Sequence, residues 1–312
     1  MNPRAAFVFP GQGSQYVGMG KTFLERVPEA LDLFATAERL SGVPVRRLCV
    51  EGPIEELTRT SNLQPCLTAV EILCCLAARD AGLAPAAVAG HSLGEYPALW
   101  AAGVLTFEDT MRLVGARGRL MEGAGDQAEG AMAAVIGLDR NALEEMLAPL
   151  AAQGVLAMAN HNSPEQIVVT GERFLVDALC LEAKARGARA VPLKVSAAFH
   201  SPLMREAAKR FAEVVEGIRF SPPLLPFYSN VTALPESDPG RIRALMAEQI
   251  CAPVKWYEIV TGMARDGISC FIEIGPKRVL TNLIQKSFPA GTVGMFQVED
   301  PEGLDKCLPY PG

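Results

Sequence analysis

Histidine is scarce in this sequence: His91, His161 and His200 are the only three in 312 residues. No two of them stand at the spacing of a metal-binding pair, so no zinc site is expected. Any chemistry that needs an imidazole base has few candidates. The eight cysteines include no CxxC pair. Cys66, Cys74, Cys75, Cys180 and Cys270 lie among apolar neighbours and read as reduced core thiols. Positive charge does not dominate either: Lys and Arg total 29 against 35 Asp and Glu, a net charge of -6. That balance argues against nucleic acid and anionic membranes as partners. No run of 18 apolar residues occurs, and the N-terminal apolar stretch is too short for a signal peptide. A cytoplasmic protein is the expectation. What the chain has is 49% hydrophobic residues and 21% charged ones, enough for a large core and too few charges for disorder.

The apolar pattern divides the chain in two. "RAAFVFPG" (4–11) and "AAVAG" (86–90) read as short buried strands. Residues 16–40, 65–82, the stretch after Ser92 and 107–125 read as helices. From 130 the rhythm becomes strand, helix, strand, strand, helix, strand, with a turn at Asn162-Ser163-Pro164. That order is the ferredoxin-like split unit. After it come an amphipathic helix and further strand–helix–strand segments, including "PFYSNVTA", "RIRALMAEQICAPVKWYEIVTGMARDG" and "CFIEIGP". The expected fold is α/β: a large parallel-sheet domain from 1–127 and 196–312, interrupted by a small ferredoxin-like domain at 128–195.

"AVAGHSLGEY" places Ser92 in a G-x-S-x-G run between a strand and a helix. This is the nucleophile-elbow pattern, in which a sharp turn lifts the hydroxyl above the sheet edge. A serine hydroxyl needs a base at neutral pH. His91 is adjacent, but neighbouring side chains at a turn diverge, so it is placed beside the serine as support. His161 lies within the small unit. His200, in "SAAFHSPLM", sits where the chain re-enters the large domain and is the favoured base. An oxyanion needs backbone N–H donors. Leu93 follows the nucleophile and supplies one; "FPGQGSQ", with Gln12 between two glycines, fits the second. A dinucleotide loop would need glycine at 16, which is Tyr16.

These segments together resemble the malonyl-CoA:acyl-carrier-protein transacylase family, the acyltransferases of fatty acid and polyketide synthesis. "FPGQGSQYVGMG", "GHSLGEY", "ARGRLM", "NSPEQIVVTG", "AAFHSPLM", "EQICAPVKW" and "EIGPKRVL" follow in the family's order nearly end to end. The resemblance implies a hydrolase-like core with an inserted ferredoxin-like domain. It implies a ping-pong reaction: Ser92 takes a malonyl group from malonyl-CoA and passes it to the phosphopantetheine thiol of a holo acyl carrier protein. His200 would be base and acid in turn, without an acidic third member, and the position of Gln249 would supply a carbonyl that orients the imidazole. Arg117 would grip the free malonyl carboxylate, as a guanidinium fork suits it; Arg112 and Arg119, on the same helix, read as solvated. Phe199 resembles the residue of malonyl users and would crowd an α-methyl group. With His91 and Asn160 it completes the expected substrate-binding set. No cofactor is implied beyond the substrates' own groups, and family members are often monomeric. The acidic carrier calls for a local basic patch, with Lys184, Arg186 and Arg189, or Arg205, Lys209 and Arg210, as candidates.

Two other readings remain open on sequence. A proofreading acyl hydrolase or serine esterase would use water instead of the carrier thiol, and acidic residues between 92 and 200 make a Ser…Asp…His order formally available. Arg117 argues for transfer. A non-catalytic docking subunit would have lost Ser92, His200 or Arg117, and all three are present.

Overall fold

The computed structural model describes residues 4–125, 129–195 and 197–308. The expected junctions at 127/128 and 195/196 fall at residues 126–128 and 196, outside the described ones. The larger sheet runs β10-β9-β1-β2-β7-β8. Its strands are β1 (Ala5–Phe9), β2 (Ala87–Gly90), β7 (Phe227–Tyr228), β8 (Pro235–Glu236), β9 (Cys270–Ile274) and β10 (Gly294–Val298). All its pairs are parallel except β7 with β8. Strands covered on both faces read as continuous apolar runs, and β1 and β9 are buried at every residue. Alternation sends Phe7 and Phe9 into one core, with Leu63 and Leu67 of the helix Thr60–Asp80; Ala6 and Val8 enter the other, with Trp256 and Ile259.

The smaller sheet runs β4-β5-β3-β6, built from β3 (Gly130–Ile136), β4 (Leu156–Ser163), β5 (Gln166–Glu172) and β6 (Arg189–Pro192). Every pair in it is antiparallel. The helices Arg140–Ala151 and Arg173–Ala185 pack on it through Leu143, Met146, Leu175, Val176 and Leu179. This is the ferredoxin-like arrangement beside a hydrolase-like parallel sheet. The two units are joined by backbone hydrogen bonds: Val254 N–H donates to the Ala159 carbonyl, and His161 N–H to the Val254 carbonyl.

Four segments depart from the expected elements. Residues 16–40 are helical only at Lys21–Leu24 and Ala30–Ser41, because Gly18 and Gly20 take positive φ and break the start. The helix expected from 65 begins at Thr60 and carries Pro65 within it. The expected strand in "PFYSNVTA" pairs only at Phe227–Tyr228, and the chain then turns toward Ser92. The stretch 241–267 is two helices, Pro239–Glu248 and Trp256–Arg265, separated by a bend that holds Gln249 and Ala252. Thr60–Asp80 is long and apolar enough to cross a membrane, and 83% of its most apolar window is buried inside the protein. It is a core helix here.

Candidate active site

Ser92 sits at the turn from β2 into a short 3-10 helix, Ser92–Gly94, that continues as the helix Glu95–Ala101. Its φ is +52°, a left-handed conformation that a non-glycine residue holds only when its surroundings enforce it. Two glycines make the turn close enough. A methyl group on Gly90 would overlap the Gly94 backbone, and one on Gly94 would overlap the Phe9 carbonyl. Asn230 pins the turn from outside. Its Oδ1 accepts the Ser92 N–H at 2.7 Å, and its Nδ2 donates to the Gly90 carbonyl at 2.6 Å.

Of the three histidines, the structure brings His200 to the serine. The Ser92 hydroxyl lies 2.8 Å from His200 Nε2. On the other side of the ring, Nδ1 lies 2.9 Å from the Gln249 carbonyl and 3.1 Å from the Ala252 carbonyl. Two carbonyl acceptors fix the proton on Nδ1, so Nε2 presents its lone pair to the hydroxyl. These carbonyls are free because the helix Pro239–Glu248 has just ended. Among the described residues no carboxylate hydrogen-bonds to His200, which removes the Ser…Asp…His triad open on sequence. The imidazole pKa is pushed down to about 3, first by burial and then by the charge of Arg117. At neutral pH the ring is an uncharged base. His161 is elsewhere: its Nδ1 bonds Glu258 at 2.8 Å.

Arg117 is 1% exposed. Nη1 donates to Gln64 Oε1 at 3.0 Å; Nη2 donates to Gln249 Oε1 at 2.8 Å and to Ser92 Oγ at 3.2 Å. The guanidinium lies 5.5 Å from the centre of the Tyr96 ring. Its partners are two neutral amides and a hydroxyl. Among the described residues no carboxylate stands within salt-bridge distance of it. A buried cation with no carboxylate in contact is costly, and an anionic ligand would relieve it. Arg112 and Arg119 lie on the exposed side of the same helix, Arg112 paired to Asp109 and Arg119 bonded to the Ser41 carbonyl.

A cavity of about 100 Å3 opens over Ser92 and reaches Gln12, Leu93, Arg117, Asn160, Phe199 and His200. Met121, Met132, Leu193 and Val195 give it an apolar wall. Gly11 lies against the His91 carbonyl, so the "PGQG" loop rests on the elbow. His91 lines the cavity too; its Nε2 bonds Asn162 Oδ1 at 2.8 Å and its ring packs edge-on to Trp256. All nine sequence-selected residues therefore meet around one point. A larger groove, about 670 Å3, lies between the helices Phe107–Gly125 and Arg205–Glu216 and includes neither Ser92 nor His200. Lys184, Arg186, Arg189, Arg205, Lys209 and Arg210 are all exposed, with Arg186 paired to Glu182. Among the described residues no three His, Cys, Asp or Glu side chains are grouped as a metal site.

Four residues of this constellation carry no strong sequence signal: Gln64, Glu95, Asn162 and Asn230. Asn230 follows the end of a parallel strand, where such sheets build their sites. Glu95 opens a helix within three residues of the nucleophile. Neither signal reveals how deeply these side chains are buried.

The sequence model for the acyl transferase domain matches residues 6–299. The chain is 40% identical over 307 residues to the malonyl CoA-acyl carrier protein transacylase of Bacillus subtilis (strain 168), covering 98% of this chain and 96% of that protein. It superposes with TM-score 0.93, at 38% identity, on an acyl carrier protein S-malonyltransferase from Vibrio cholerae, covering 97% and 99% of the two chains. The same score and identity relate it to a structure of a type II PKS acyl-carrier protein in complex with its malonyl-transacylase, with 98% and 99% covered.

Proposed function

The chain belongs to the acyl transferase domain family, and we propose that it transfers a malonyl group from malonyl-CoA to the phosphopantetheine thiol of an acyl carrier protein, for fatty acid or trans-acting polyketide synthesis. The observation that carries the acyl-group assignment is Arg117, a buried cation beside the nucleophile with only neutral partners. A malonyl thioester brings a carboxylate at the far end of a short chain, and the cavity of about 100 Å3 suits a short acyl group.

The chemistry follows from the geometry. His200 Nε2 takes the hydroxyl proton as Ser92 Oγ attacks the thioester carbonyl. The backbone N–H groups of Leu93 and Gln12 stabilise the tetrahedral oxyanion. The CoA sulfur leaves with the proton from His200, and Ser92 holds the malonyl ester. In the second half the carrier thiol gives its proton to His200 and attacks the ester, and Ser92 recovers its hydrogen. Substrate binding also strengthens the base: a carboxylate against Arg117 offsets the charge that depresses the His200 pKa. Water must be kept out between the halves, and the apolar wall of Met121, Met132, Leu193 and Val195 serves that.

Peptide mapping after incubation with malonyl-CoA tests this reading. The malonyl group is expected on the peptide containing Ser92 and absent from Ser92→Ala. Malonylation of another residue, or undiminished labelling of the alanine variant, would falsify it.

A further inference from the structure

Glu95 has no part in the steps above, yet it is 1% exposed and both its oxygens are engaged. Oε1 accepts the Asn230 N–H at 2.5 Å, and Oε2 accepts Gln249 Nε2 at 2.5 Å. The other hydrogen of that amide goes to the Ser92 carbonyl, 2.8 Å away. A primary amide has two hydrogens and one oxygen. With both hydrogens held by acceptors on one side, the Gln249 oxygen has to point the other way. There it accepts from Arg117 Nη2.

We infer that Glu95 is a positioning residue for Arg117, acting through the side-chain amide of Gln249, and thereby helps set the preference for an acyl group that carries a carboxylate. The inference rests on the malonyl reading above. A carboxylate at position 249 would hold the guanidinium just as firmly, but it would also neutralise it, and no substrate carboxylate would then be needed. A glutamine whose orientation is unspecified would present its NH2 group to Arg117 half the time, donor against donor. Placing the carboxylate one amide further away avoids both outcomes. It fixes the orientation of Arg117 while leaving the cation without an ionic partner in contact.

The test is the ratio of kcat/KM for Ser92 acylation by malonyl-CoA over acetyl-CoA, measured on the full chain at pH 9, above the value of about 8 to which burial pushes the Glu95 carboxyl, with thermal melts in parallel. In Glu95→Gln, the new amide can satisfy either Asn230 N–H or the Gln249 amide, and one donor–donor conflict remains. The ratio is expected to fall about ten- to a hundredfold, because a charge-assisted contact made by malonyl alone is weakened. Gln249→Glu reads the same link from the other end: it puts a charge directly on Arg117 and is expected to lower the ratio as well. If Glu95 merely supports the Asn230 turn, Glu95→Gln lowers both rates and the melting temperature together, and the ratio stays within about twofold of wild type. That result overturns the inference. A wild-type enzyme with no malonyl preference overturns the malonyl reading and this inference with it; a wild-type preference that both variants keep overturns the inference alone.

Discussion

Replacing Asn230 with alanine takes two hydrogen bonds from the turn that carries Ser92. The Ser92 N–H and the Gly90 carbonyl lose their side-chain partners, while the Asn230 N–H to Glu95 is retained. Each bond contributes about 1 kcal/mol net, and stranding a buried partner costs about 1–3 kcal/mol. Water entering the vacated space offsets part of this, so a loss of about 2–4 kcal/mol is expected. Unfolding entropy of about 2.1 cal/mol/K per residue makes each kcal/mol worth about 1.5 °C in a chain of this size. The melting temperature should therefore drop by about 3–6 °C. Acylation should suffer more than stability. The turn holds Ser92 at φ +52° only under constraint, and relaxing it moves Oγ away from His200 Nε2. A displacement of this kind costs about a hundredfold in rate. Differential scanning calorimetry and stopped-flow acylation on the same preparation read both numbers. A variant that melts lower but acylates at the wild-type rate would refute the claim that Asn230 enforces the nucleophile's geometry.

Arg117→Ala removes the positive charge that, after burial, does most to depress the His200 pKa; the acid limb of the kcat/KM profile for acetyl loading should move up from about 3 toward 6.5. An unmoved limb would mean that the charge of Arg117 does not set it. Glu71 is wholly buried, and burial followed by repulsion from Glu273 holds its pKa well above 4.5. The native state therefore keeps a proton that the unfolded state releases, and stability falls as pH rises from 4.5 toward the native-state pKa. Glu71→Gln cannot ionise, so its stability relative to wild type should grow with pH across that window in urea melts; a constant difference would contradict this. Gly94→Ala would drive a methyl into the Phe9 carbonyl, and soluble protein should be lost or its melting temperature lowered further than by Asn230→Ala. A stable, fully active alanine variant would show that the elbow is not so tightly closed.

Much of this architecture was legible because its signals are local. The burial of β1 and β9, the helix Phe107–Gly125 and the strand–helix order of 130–192 all follow from periodicity over short windows. Ser92 is marked by its five-residue frame, and His200 by the presence of only two other histidines. Arg117, Phe199, Asn160 and Gln249 are legible only through the resemblance. The polar support of the site was not legible. Asn230 meets Ser92 across 138 positions, and Glu95 meets Gln249 across 154. No local pattern encodes such partners, because they are set by where two chain segments stop being regular. One is the two-residue strand β7, which frees Asn230 to turn inward. The other is the break after Glu248, which exposes the carbonyls that hold His200.

In this mechanism Ser92 carries a malonyl group from one thiol to another. Intact-mass spectrometry tests it most directly: the protein is mixed with malonyl-CoA or acetyl-CoA, and a holo acyl carrier protein is then added. A malonyl adduct is expected on the enzyme, with little acetyl adduct, and the malonyl mass should move to the carrier. Preferential acetyl loading, with free acid released and the carrier left unloaded, would contradict it and make the protein an acyl hydrolase.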